Sequence, residues 1–105
     1  MLFRSNKGLY YSVDDGRNWT QSNVTSGYFW CIGVSNGVLV AGSNSDKGLY
    51  YSVDDGRNWT QSNVTSGNFL CIGVSNGVLV AGSNSDKGLY SSVDNMHFNR
   101  YVQTE

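Results

Sequence analysis

The chain has 105 residues, 39% of them apolar and 14% charged, with a formal net charge of −1. Its basic residues are scattered singly, so no basic stripe exists for a phosphate backbone, and its apolar runs fall far short of a membrane span. Gly, Ser and Asn fill the gap left by the low apolar and charged content, and the 13% aromatic content favours short strands and tight turns over disorder.

One small domain, 1–105, fits this length. Met1 to Asn6 contains no apolar segment long enough for a secretory signal, so a cytoplasmic location is the expectation. From Gly8 onward a forty-residue unit is written twice, at 8–47 and 48–87. The two copies are identical except at Tyr28/Asn68 and Trp30/Leu70. A third copy, 88–105, breaks off less than half way through. A period near forty indicates units that bury a face on their neighbours.

The elements of one unit follow in order. The chain lacks proline and any 3.6-residue apolar pattern, which argues against helices. Tyr28 to Val34 predicts a strand (A), Ser35-Asn36-Gly37 a type I′ hairpin turn, and Val38 to Gly42 a second strand (B). A polar turn, Ser43 to Lys47, leads to a third strand (C) at Gly48 to Ser52. Val53 to Asn58 turns the chain again, and Trp59 to Ser62 forms a fourth strand (D). Leu2-Phe3-Arg4 aligns with strand B, so the chain reads BCD, ABCD, ABCD, eleven strands in all. Four short antiparallel strands in forty residues is the pattern of a propeller blade. The expected fold class is therefore all-β: four-stranded antiparallel β-propeller blades, about 2.5–2.75 of them per chain.

The turn between C and D carries the most specific motif. Ser12-Val13-Asp14-Asp15-Gly16-Arg17-Asn18-Trp19 recurs at Ser52 to Trp59. It resembles the Asp-box, S/T-x-D-x-G-x-x-W, of the bacterial-neuraminidase-type repeat found in sialidase-like β-propellers. That resemblance implies a hairpin between the third and fourth strands of a blade, a fold staple lying away from the family's active sites. The residue types suit the role. Asp14 and Asp54 can accept hydrogen bonds from turn amides two residues on, Gly16 and Gly56 supply positive φ, and Ser12 and Ser52 add hydroxyl bonds. Trp19 and Trp59 are expected to fold over their turns and bury roughly 150–250 Å² each. In the third copy Ser92 and Asp94 survive, but Asn95-Met96-His97-Phe98-Asn99 replaces the glycine and the tryptophan. Phe98 is the expected stand-in for the indole, one position early.

No catalytic constellation emerges. A sialidase needs three arginines on a carboxylate, a Tyr/Glu nucleophile pair and an Asp acid. Arg17 and Arg57 belong to the Asp-box segments, Arg4 and Arg100 lie near the ends, and the only glutamate is Glu105. His97 has no Cys or carboxylate partner at metal-ligand spacing, so no metal and no cofactor are expected. Cys31 and Cys71 occupy one repeat position a period apart and read as two small buried thiols, not a disulfide. Asn18, Asn23, Asn58 and Asn63 match the glycosylation acceptor pattern and are read as by-products of Ser/Thr/Asn-rich turns.

The expected function is therefore assembly without catalysis. The chain reads as an amplified or engineered propeller fragment completed by homo-oligomerisation, with a homodimer favoured and a trimer next. Neither nucleic acid nor membrane is an expected partner. The alternative is a lectin-like module binding a glycan or peptide on Tyr28 and Trp30, which strand alternation places on one face.

Overall fold

A computed structural model describes residues 8–44, 47–83 and 88–100. Among them every regular element is a β-strand. A short hairpin comes first, β1 (Tyr10–Tyr11) with β2 (Thr20–Gln21). Two four-stranded antiparallel meanders follow. The first runs β3 (Phe29–Ser35), β4 (Val38–Ser43), β5 (Leu49–Ser52), β6 (Thr60–Gln61). The second repeats it as β7 (Phe69–Ser75), β8 (Val78–Ser83), β9 (Leu89–Ser92), β10 (Asn99–Arg100). The expected strands A to D are thus found, with D trimmed to two residues. The strand expected at Leu2-Phe3-Arg4 lies outside the described residues.

Local chemistry accounts for these hairpins. Asn36 and Asn76 have φ of 53° and 52°, each followed by a glycine at 78°, as a type I′ turn requires. Register runs unbroken from Cys31↔Gly42 to Ser35↔Val38, and its one irregularity lies between Phe29 and Cys31. The same break recurs between Phe69 and Cys71. It re-aims the residue between, Trp30 in one copy and Leu70 in the other.

The sheets stack face to face in a row, within extents of 50 × 27 × 18 Å. Two apolar clusters form along that row, and they are the same cluster one repeat apart. Leu9, Phe29, Ala41 and Trp59 form one, flanked by Val24 and Leu39. Leu49, Val64, Phe69, Leu79, Ala81 and Phe98 form the other, with Val40 added. Each fully buried side chain of this size stabilises the stack by roughly 1.5–3 kcal/mol. An edge-to-face pair braces each meander, Phe29 on Tyr50 at 5.6 Å and Phe69 on Tyr90 at 5.5 Å.

An asparagine ties each unit to the next. Asn23 accepts from the Trp59 amide (2.6 Å) and donates to the Trp59 carbonyl (2.9 Å). Asn63 does the same to Phe98, at 2.7 Å for both bonds. Phe98 therefore takes the structural place of Trp59, as expected, and the last turn is one residue shorter.

Candidate functional site

Three features could carry function: the turns between the third and fourth strands, a cleft beside the first hairpin, and the two outer faces of the stack.

The turns are closed polar units. Ser12 Oγ donates to Asp14 Oδ1 (2.7 Å) and accepts from the Gly16 amide (2.9 Å). Asp14 also accepts from the Asn18 amide (2.9 Å) through Oδ1 and from Asn18 Nδ2 (2.7 Å) through Oδ2. Trp19 Nε1 donates to the Gly16 carbonyl (2.9 Å). Ser52, Asp54, Gly56, Asn58 and Trp59 repeat the set. Gly16 and Gly56 have φ of 85° and 89°, as the motif requires. The carboxylate's amide partner is four residues on rather than two, because the chain curls back to Asn18, which the motif reading passed over. Only in the third copy does Asp94 accept two residues on, from Met96 (3.0 Å), and from His97 (2.9 Å).

These bonds favour the ionised form of each carboxylate. Bonds from the side chain and amide of Asn18 and from Ser12 lower Asp14 from the ordinary 3.8 to about 2. Asn58 and Ser52 do the same for Asp54, and the His97 and Met96 amides with Ser92 for Asp94, each to about 2. A carboxylate held there stays ionised at neutral pH and cannot donate a proton as a general acid. His97 is exposed, and among the described residues no three His, Cys, Asp or Glu side chains come together to hold a metal.

Two expectations need correction. Trp19 does not bury itself over its turn: it stays 39% exposed, whereas Trp59 is 5% exposed because it packs in one cluster with Leu9 of the preceding unit. The cysteines are not both buried. Both are free thiols; Cys31 is half-buried under the next sheet, its Sγ 3.6 Å from the Phe69 carbonyl, while Cys71 is exposed. Burial pushes the Cys31 thiol up to about 11.

The cleft has a volume of about 510 Å³. Tyr10, Tyr11, Trp19, Trp30, Ile32 and Trp59 supply its aromatic and aliphatic walls, and Asp55 stands at its edge. Trp30 thus lies in the cleft, but Tyr28 is not part of its lining, and the register break at Phe29 interrupts the alternation that was to put both on one face. One junction further along, the matching space holds the Ser35–Val38 turn, to which Asn95 is bonded.

The outer faces expose what the interior buries. Val40 and Leu49 are 0% exposed, but their copies Val80 and Leu89 are 40% and 48% exposed. Val80, Leu89, Tyr90 and Ser91 line an apolar hollow of about 200 Å³ on the trailing sheet. Trp19, folded back on Gly16 in the leading hairpin, is itself 39% exposed.

Comparison with family models, curated proteins and solved structures finds no match.

Proposed function

We propose that this chain is a self-assembling repeat protein whose meanders are β-propeller blades, joined head to tail with further copies into a closed ring. The turns keep their Asp-box role as staples in this reading, and no catalysis is assigned. One observation carries it. The same side chains are covered inside the chain and partly bare at its trailing face: Leu49 packs with Phe98 and is 0% exposed, while Leu89 is 48% exposed. Phe98 and Trp59 occupy the turn position that Trp19 occupies in the first hairpin. Trp19 of a second copy therefore has the chemistry to cover Leu89 as Phe98 covers Leu49. Such a contact is heterologous and must close into a ring or run on as a filament. Two copies bring five to six blades, three bring about eight, both within the four to eight that propellers use.

Light scattering coupled to gel filtration tests this. A mass of two or three times 11.5 kDa is expected. A folded 11.5 kDa species at every concentration up to millimolar would refute it.

The cleft supports a second reading, a carbohydrate-binding module. Aromatic side chains stack on sugar rings, and one of the two differences between repeats, Trp30 against Leu70, falls in the cleft. Glycan-array binding lost in Trp30→Leu would favour this reading, and an empty array would remove it.

A further inference from the structure

The residue after the motif aspartate has the same positive φ in all three turns: Asp15, Asp55 and Asn95 have φ of 61°, 63° and 63°. Its side chain differs, and so does its surroundings. Asn95 is buried, and its Nδ2 donates across the junction to the carbonyls of Ser35 (2.7 Å) and Val38 (3.3 Å), which bracket the Asn36-Gly37 turn of the preceding sheet. Asp15 and Asp55 are exposed, and Asp55 borders the open cleft.

We infer that this position selects which blade junctions close firmly: asparagine locks a junction, and aspartate keeps it weak, so that Asp15 sets the strength of the contact between copies. The inference rests on the assembly reading and adds the residue that regulates it. In a head-to-tail contact repeating the internal junction, Asp15 stands where Asn95 stands. It then faces the Ser75 and Val78 carbonyls of the preceding copy, which bracket the Asn76-Gly77 turn. Ser75 is exposed, whereas its internal counterpart Ser35 is buried. An ionised carboxylate has acceptors only, so opposite two carbonyls it forms no direct bond, and it also loses its water. The amide of Asn95 provides the donor that both carbonyls need. Its own Oδ1 is buried without a partner, so the value of the residue at this site lies in that donor.

The arrangement solves a problem that near-identical blades create. Interchangeable surfaces allow a blade of one copy to displace a blade of another. With the lock only at Asn95, the chain stacks its own last two meanders first and meets other copies through a weaker, reversible contact.

The test compares Asp15→Asn with the parent protein by sedimentation equilibrium. Asn tolerates positive φ at least as well as Asp, so the variant keeps its turn. Its dissociation constant is expected to fall at least roughly tenfold, the worth of a gained donor and a removed buried charge. Association unchanged or weakened overturns the role of Asp15 while leaving the assembly reading intact. Monomers throughout, for both proteins, overturn the assembly reading and the role of Asp15 with it. The lock is read separately within one chain. Asn95→Asp is expected to speed amide exchange at Phe98, whose N–H bonds to Asn63 across the same junction, and unchanged protection there overturns the lock.

Discussion

Gly33 faces Ile72 across the junction between the two meanders so closely that a Cβ on Gly33 would overlap Ile72 Cγ2. The atom it would strike hangs directly from a branched Cβ and cannot swing aside. Its copy, Gly73, has open space in the same direction. Gly33→Ala is therefore expected to cost about 1–3 kcal/mol by forcing the sheets apart. Gly73→Ala should fall within about 0.5 kcal/mol of the parent. Urea midpoints of the two variants measure the difference, and equal losses would show that the sheets do not meet as described.

The contrast between these glycines also marks the limit of sequence reading. Residues 29–43 and 69–83 differ at one position, yet Val40 is covered and Val80 is not. Burial here depends on a unit's place in the row, which no local window encodes. Features settled within a few residues were legible: the Asn36-Gly37 turn, the four strands per unit, and the Ser12, Asp14 and Gly16 turn. The left-handed Asp15 was not, because aspartate there gives no signal as strong as glycine. Nor were the asparagine clamps, since Asn23 and Asn63 bond residues more than thirty positions away. In sequence they resembled glycosylation acceptors.

Those clamps lead to a second prediction. Asn63 satisfies both backbone groups of Phe98, so Asn63→Ala leaves a donor and an acceptor unmatched at the edge of the apolar cluster. A loss of about 1–3 kcal/mol is expected. Asn63→Asp should recover little, because aspartate keeps the acceptor for the amide but loses the donor for the carbonyl. Chemical denaturation of the two variants checks this. Full stability in Asn63→Asp would assign the clamp's value to the amide bond alone.

Acid should weaken the fold through the staples. Asp14, Asp54 and Asp94 are each depressed to about 2 from an ordinary 3.8. The unfolded chain therefore takes up protons first as pH falls, and folding stability drops. The contribution is complete above about pH 4 and fades as pH approaches 2. All three carboxylates are solvent-facing, so the effect is modest for each and shrinks in salt. The denaturant midpoint is expected to fall between pH 4 and 2, and Asp54→Asn should flatten that slope. A variant with the parent's slope would place the acid sensitivity elsewhere.

Leu49 and Leu89 give the sharpest separation of fold from assembly. They are the same residue of the same strand, 0% and 48% exposed. Leu49→Ala empties the cluster it shares with Phe98 and Val64 and should cost about 2–5 kcal/mol. For a chain of this size that is much of its total stability. Leu89→Ala removes little packing within the chain, so the dilute monomer should unfold within about 0.5 kcal/mol of the parent. If Trp19 of another copy packs on Leu89, the same change must instead weaken association, and Trp19→Ala must weaken it to a similar extent. Sedimentation of the single and double variants decides the matter. Losses that fail to add in the double variant place the two side chains in one contact, whereas fully additive losses assign them to separate ones.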